Sequence, residues 1–324
     1  MRLVDRTTIE RVLDPTEAMA RIEAGFVAYS AGRVTVPPVG HLDLPDADGE
    51  CHIKYGWIRG DEVYLIKIAS GFYGNPALGL PSGNGLMLLF SARTGEPLAL
   101  LQDEGWLTDV RTAMAGAISA RYLAPRTVER IGIVGSGIQA GLQLRHLASV
   151  TDCRDVQVWA RRPEGVEALR AALADTDFRI TTAPTPESLC AACNVIVTTT
   201  PAKAPLLQAD WIRPGTHVTA MGSDGAGKQE LDPALFAKAD LCVVDSRVQC
   251  TAFGEASFAV SEGHVRSEAL VELGAVIAGD HAGRTSEAQI TLADLTGVAV
   301  QDIAIAGAVW AHLGPDVQEE SGAN

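Results

Sequence analysis

Positive charge is what this chain has least of: 26 Lys and Arg stand against 40 Asp and Glu in 324 residues, a formal net charge of −14. Nucleic-acid binders gather Lys and Arg, so the balance argues against a nucleic-acid partner. An uninterrupted apolar run of membrane-spanning length is also missing. The most apolar late stretch, Leu295 to Leu313, is broken by Gln301 and Asp302 and is rich in Gly and Ala, which suits a buried helix and no membrane partner. Met1 to Leu13 carries Arg2, Asp5, Arg6, Glu10 and Arg11 without an apolar core of signal-peptide length, so a cytoplasmic location is expected. Cysteine is sparse, at positions 51, 153, 190, 193, 242 and 250. Cys190 and Cys193 form a C-x-x-C, but no second pair stands at zinc spacing, so buried thiols and no metal are expected. Internal repeats and low-complexity stretches are absent as well.

What is present starts with glycine. Arg130-Ile131-Gly132-Ile133-Val134-Gly135-Ser136-Gly137-Ile138-Gln139-Ala140 reads as a short apolar strand, a glycine-rich turn and a helix. A pyrophosphate needs a tight turn (Gly135), close backbone approach (Gly137) and a small residue that lets helix pack on strand (Ala140). The first helical turn then offers free N–H groups and the positive end of its dipole. An amphipathic helix follows (Leu142, Leu144, Leu147), and a second strand arrives at Val156 to Trp159. Dinucleotide binding is the expectation. The position after that strand where an acid would favour NAD holds Ala160, followed by Arg161 and Arg162. These arginines either pair with a 2′-phosphate, which leans toward NADP(H), or are solvent-facing loop charges; NAD(H) and NADP(H) both stay open. Thr199, Thr200 and Pro201, at the end of a later strand, are placed to line the nicotinamide side.

The length allows two domains. Asp14-Pro15-Thr16-Glu17 is a helix start, with apolar residues at 18, 19, 22, 26 and 29 and a stop at Gly32. Strands are expected at His52 to Ile58, Val63 to Ala69, Gly85 to Phe90 and Leu98 to Leu101, giving a mostly antiparallel α+β segment. Trp106 to Leu123 is a helix of small residues closed by Pro125. From there strands at Ile131–Val134, Val156–Trp159, Val195–Thr199, His217–Met221 and Leu241–Val244 alternate with helices, which predicts a doubly wound parallel sheet of Rossmann type. The last long helix, Val298 to His312, is expected to return to the N-terminal segment. The reading is therefore an α/β protein: residues 1–120 with 300–324 form a discontinuous substrate-binding and dimerisation domain, and 121–299 bind NAD(P). A polar tail after Pro315 is expected to be loose.

Hydride chemistry needs groups that hold a substrate carboxylate and a proton donor for the heteroatom. Lys67 lies in the apolar strand Val63 to Ala69, where a lysine is costly without an anionic partner. It either meets a ligand or snorkels to the surface. Arg111, followed by Thr112, either clamps a carboxylate or pairs with Asp109 or Glu104. Asp224, directly after a sheet strand in Met221-Gly222-Ser223-Asp224-Gly225, is either an acid/base residue or a turn residue.

Taken together, Lys67 with Ser82, Asp109-Val110-Arg111-Thr112-Ala113, the Gly135–Ala140 turn, Gly222-Ser223-Asp224-Gly225-Ala226-Gly227-Lys228-Gln229-Glu230-Leu231 and Gly297-Val298-Ala299-Val300-Gln301-Asp302 resemble the ornithine cyclodeaminase/μ-crystallin family. The likeness runs over nearly the whole chain. It implies a homodimer, a Rossmann domain for NAD(P), and substrate-carboxylate roles for Lys67, Ser82 and Arg111. Asp224, with Lys67, corresponds to the catalytic groups. Arg111, Thr112, Met221, Gly222, Ser223 and Val298 join the cofactor contacts. The family's early substrate-binding arginine is missing after Val36-Pro37-Pro38, and His41 is the nearest replacement. Where a cyclodeaminase carries a glutamate, Lys54 stands here; it would repel ornithine's ammonium group and attract a second carboxylate. It is otherwise an exposed strand lysine. The segment Ser70-Gly71-Phe72-Tyr73-Gly74-Asn75-Pro76, followed by Leu80-Pro81-Ser82-Gly83-Asn84-Gly85, also resembles the imine-reducing members acting on small acids, iminosuccinate reductase among them. The implied reaction is reduction of an imino dicarboxylate, iminosuccinate to L-aspartate, by an NAD(P)-dependent oxidoreductase. Ornithine cyclodeamination, alanine-dehydrogenase-like or ketimine-reducing activity, and non-catalytic ligand binding are the alternatives.

Overall fold

The computed structural model describes residues 1–313, so the tail expected after Pro315 lies outside the described residues. The chain divides into two compact units, one of Met1–Arg111 with the segment from Ala299 onward, the other of Thr112–Val298. The helix Trp106–Leu123 runs through that division, which falls at Arg111/Thr112, where the sequence reading drew its boundary after residue 120.

The first unit is built on a seven-stranded sheet. Its strands are β1 (Arg2–Asp5), β2 (Val34–Thr35), β3 (Gly40–Leu44), β4 (Gly49–Ile58), β5 (Val63–Phe72), β6 (Gly83–Ser91) and β7 (Pro97–Gln102). They run in the order β1-β7-β6-β5-β4-β2, with β3 also paired to β4. All neighbours are antiparallel except β1 with β7. β4, β5 and β6 begin or end several residues beyond the alternation visible in sequence, because Ser70, Gly71 and Asn84 continue the ladder without apolar side chains.

Alternation decides which side chains share a face. Val63, Leu65 and Lys67 of β5, Met87 and Leu89 of β6, and Ala99 and Leu101 of β7 are the buried set. The helices Pro15–Ser30 and Ala299–His312 belong to this unit, and the latter packs on β4 and β5. Asp14 caps the former, its Oδ1 accepting from Thr16 N at 2.8 Å and Glu17 N at 2.9 Å, with Pro15 in the first turn. Gly25 lets the two helices approach closely: a Cβ there would stand 3.2 Å from Val300 Cγ2.

The second unit is a doubly wound α/β fold. Its main sheet has eight strands: β8 (Ile131–Val134), β9 (Asp155–Trp159), β10 (Arg179–Thr182), β11 (Val195–Thr198), β13 (His217–Ala220), β15 (Leu241–Val244), β16 (Val271–Glu272) and β17 (Thr291–Asp294). The order is β10-β9-β8-β11-β13-β17-β15-β16, and every pairing is parallel. β12 (Lys203–Leu207) and β14 (Gln229–Leu231) form a separate two-stranded ladder. β8, β11, β13, β15 and β17 are buried along their whole length, as a sheet covered on both faces requires. The chain begins this sheet at β8, moves outward to β10, then returns to β11 on β8's other side. That reversal is the topological switch point, where ligands of such sheets bind beyond the carboxyl ends of the strands.

Among the described residues no helix is long and apolar enough to cross a membrane. Cys190, Cys193, Cys242 and Cys250 are buried, whereas Cys51 and Cys153 are only half-buried; all six thiols are free. Burial pushes Cys190 and Cys193 up to about 12, so the C-x-x-C is chemically quiet.

Candidate active site

In the second unit, β8 and β11 end at the switch point, where a cavity of about 630 Å³ opens. Gly135, Ser136 and Gly137 line it together with Trp159 to Arg162 and Thr199 to Ala202. Gly135 has φ +119°, and a Cβ there would fall 2.6 Å from Thr199 Oγ1, so both the turn and the close approach demand glycine. Gly137 is the N-cap of the helix Ile138–Leu147, makes no side-chain cap and has open space at its α-carbon. The first N–H groups of that helix are thus available to an anion. Ala140 is buried against the sheet, while Ile138 is 65 % exposed. Arg161 and Arg162 are exposed on the cavity rim. These residues fit a dinucleotide.

One buried carboxylate, which the sequence gives only as part of the Gly222–Leu231 segment and without a role of its own, organises this edge. Glu230 accepts hydrogen bonds from Thr198 Oγ1 (2.6 Å), Thr200 N (2.6 Å), Thr200 Oγ1 (2.7 Å) and Gly222 N (2.8 Å). It ties the turns after β11 and β13 to each other. Burial pushes its carboxyl above the ordinary value, and those bonds pull it back. Gly222 is obligatory beside it, since a Cβ would lie 2.5 Å from the carboxylate. Gln143 escaped the sequence reading: it is fully buried, its Nε2 3.3 Å from Thr112 O and 2.7 Å from Met221 Sδ. Their sequence context alone assigns neither a role; the distant groups each meets give it significance.

Asp224 lies in the turn after β13, its side chain 56 % exposed and its Oδ1 2.7 Å from Lys228 Nζ. Ser223 is buried, its hydroxyl donating to Lys228 O at 2.7 Å. At the last strand, Asp245 receives Gly297 N at 2.7 Å and Val298 N at 3.3 Å, which fixes the buried Val298.

The first unit gathers a different chemistry. Lys54 and Lys67 are directly opposite in the β4–β5 register, and both are buried, at 7 % and 2 % exposure. Neither is the surface lysine that sequence alternation left open. Lys67 Nζ lies 2.9 Å from Asp302 Oδ1, and Arg111 Nε lies 2.9 Å from the same oxygen. Arg111 Nη1 also donates to Gln301 Oε1 at 3.0 Å. Asp302 itself is fully buried. Its burial favours the neutral acid, but Arg111, Lys67 and Lys54 outweigh that and hold its carboxyl below the ordinary value. Burial pulls Lys67 down to about 7; Asp302 opposes the shift, and Arg111 and Lys54 add to it. Asp103, also buried, is raised to about 6 by burial and accepts from Leu107 N at 2.8 Å at the start of the Arg111 helix.

Two sequence candidates stand apart from this cluster. Ser82 precedes β6, and its carbonyl accepts from Phe72 N at 2.7 Å. Phe72 is five residues beyond Lys67 on β5, about 17 Å of extended strand away. His41 is opposite His52 on β3–β4, two residues along from Lys54, about 7 Å in strand rise, and its Nε2 lies 2.8 Å from Asp43 Oδ1. It is therefore already engaged with a carboxylate.

The family model for the ornithine cyclodeaminase/mu-crystallin family matches residues 1–314. The chain belongs to that family. It is 48 % identical to the uncharacterized cyclodeaminase y4tK of Sinorhizobium fredii, over 90 % of this chain and 88 % of that one. It is 35 % identical to the alanine dehydrogenase of Archaeoglobus fulgidus (95 % and 94 % covered) and 34 % identical to the iminosuccinate reductase of Paracoccus denitrificans (95 % of each). Solved structures agree: an archaeal alanine dehydrogenase dimer with bound NAD superposes with TM-score 0.89 at 34 % identity, covering 96 % of this chain and 95 % of that one. The Paracoccus enzyme with NAD+ gives 0.88 at 34 % identity, with the same coverage. Membership in this family explains why a parallel sheet with a glycine-rich turn is joined to an antiparallel, lysine-bearing unit.

A titration tests whether Lys67 holds a carboxylate: only its charged form would do so, and in the free protein that form is lost as pH rises through about 7. A bound anion raises the lysine again, so affinity is expected to fall by up to about tenfold per pH unit above neutrality. Calorimetric titration of succinate across that range checks the sign. Affinity that stays flat or rises would remove Lys67 from the anion site.

Proposed function

We propose that this NAD(P)-dependent oxidoreductase of imino or amino acids reduces a small α-imino dicarboxylate, with iminosuccinate to L-aspartate as the reaction. One observation carries the reading. Lys54, Lys67 and Arg111 are three buried cations, set against the acids Asp302 and Asp103. Lys54 and Lys67 are directly opposite in register, and Lys67 shares the Asp302 carboxylate with Arg111. Three cationic groups gathered in this way suit a ligand that brings two carboxylates.

A bound NAD(P)H supplies the hydride to the imine carbon. Arg111 and Lys67 hold the α-carboxylate, Arg111 through its planar fork. Lys54 takes the distal carboxylate and disfavours an ammonium group there, which counts against ornithine. Asp224 protonates or orients the substrate nitrogen. Gly135, the helix start at Gly137 and the turns clamped by Glu230 hold the dinucleotide, and Arg161 and Arg162 lean the choice toward the 2′-phosphate. Assembly as a homodimer is part of the same reading. Leu42, Ile53 and Tyr55, on the face of β3–β4 opposite His41 and Lys54, are 59 %, 40 % and 38 % exposed, an apolar surface suited to a second copy.

The test follows oxidation of NADH and NADPH separately with oxaloacetate plus ammonia, pyruvate plus ammonia, and cyclic imines. Turnover should be greatest with the dicarboxylate, and Lys54→Met should abolish that preference while retaining monocarboxylate turnover. Equal rates with pyruvate plus ammonia, or proline formed from ornithine, would overturn the assignment.

A further inference from the structure

Two histidines and a glutamate that the reaction does not use meet on the strand pair β3–β4. His41 and His52 are directly opposite in register, their rings edge to face with centroids 4.6 Å apart. Glu50 is two residues before His52 and so shares its face. One ligand-type atom from each of His41, Glu50 and His52 lies within 4.8 Å of the other two. His52 Nε2 is shut off from solvent and lies 3.3 Å from Glu50 Oε2, within ion-pair distance. An imidazole nitrogen and a carboxylate oxygen facing each other at that separation can share one cation between them.

The surroundings orient these groups as metal sites orient theirs. Asp43 Oδ1 takes Nε2 of His41 at 2.8 Å, and the Tyr73 hydroxyl donates to Glu50 Oε1 at 2.5 Å. Carboxylates and hydroxyls in that outer position fix ring orientation and raise ligand basicity. Two carboxylates, Glu50 and Asp43, outnumber the one nearby ammonium, Lys54. The residue opposite His52 on β5 is Ala69, with Gly71 opposite Glu50, which leaves room for coordinated water on this face.

We propose that His41, Glu50 and His52 bind one late first-row divalent cation, such as zinc or cobalt, with positions left open for water or a ligand. Two imidazoles and a carboxylate select this class over calcium or magnesium, which require oxygen donors. The inference is independent of the substrate reading, since no step of the reduction runs through it.

The experiment uses the full chain, freed of metal by chelator and dialysis and then titrated with Co²⁺. Visible ligand-field bands should saturate at a single equivalent per chain and vanish when Zn²⁺ is added. His41→Ala and His52→Ala should abolish the bands, with circular dichroism unchanged. Asp43→Ala, which removes only an orienting partner, should weaken binding about 10- to 100-fold. Absence of bands in the native protein, or unchanged bands in His52→Ala, would overturn the site. So would sulfur-to-cobalt charge transfer, which would put the ion on a cysteine such as the half-buried Cys51.

Discussion

Asp224→Asn is expected to lower kcat about 100- to 10,000-fold, the usual worth of general acid–base help, while KM for the imino acid stays within about threefold. Asparagine keeps the shape and polarity of the side chain but cannot deliver a proton. The substrate carboxylates are assigned to other residues, so ground-state binding has little reason to change. Asp224 is also the partner of Lys228 at 2.7 Å, and that pair, whose lysine side chain is 14 % exposed, offers a structural explanation for its presence. Lys228→Met separates the two. Loss of the ammonium costs stability but leaves the acid in place, so kcat should fall far less than in Asp224→Asn. Steady-state kinetics on both variants checks this. Undiminished turnover in Asp224→Asn, or equal losses in the two, would leave the residue a turn element.

The doubly wound sheet was legible because its signals are local. Gly135 and Gly137 follow a strand of four apolar residues, and the turn they make depends on backbone geometry that only glycine supplies. The boundaries of β4, β5 and β6 were less legible. Ser70, Gly71 and Asn84 carry no apolar alternation, yet their backbones still pair across the sheet. The chemical identity of Lys67, Arg111 and Asp224 could be read, but not their surroundings. Lys67 meets Asp302 across 235 positions and Arg111 meets Gln301 across 190, and no periodicity reports such distances. Asp302 interrupts an apolar helix and ends one of the family-like segments, but the sequence reveals neither its burial nor the two cationic neighbours that make it the hub of the cluster. Glu230 was hidden for a similar reason, since its four bonds lead to backbone and hydroxyl groups of distant turns. Ser82 shows what sequence spacing leaves open: its backbone pairs with Phe72, five residues along the ladder from Lys67.

The hub makes a prediction about stability. Asp302→Ala removes a carboxylate that both Lys67 and Arg111 contact, and leaves buried cations facing one another. Removing a single partner from a buried charge pair costs about 3–5 kcal/mol, far more than the pair's net contribution when intact. The native cluster need not be strongly stabilising for the variant to be badly destabilised. Relief should come from deleting charge of the other sign. Lys67→Met alone leaves Asp302 with Arg111, while Lys67→Met combined with Asp302→Ala leaves only Arg111 and Lys54 to be accommodated. The double variant should therefore be more stable than the sum of the single losses predicts, by at least about 1 kcal/mol in a cycle measured by denaturant unfolding. The pH dependence has a definite sign. Burial already depresses Lys67 to about 7, and loss of Asp302 depresses it further, so the folded variant binds fewer protons than its unfolded chain over a wider range. Its stability should rise with pH through neutrality, and the deficit against the native protein should be larger near about pH 6 than near about pH 9. Additive losses, or a deficit that grows with pH, would mean that Lys67 and Asp302 do not share a charge balance. The cationic site would then need another anchor.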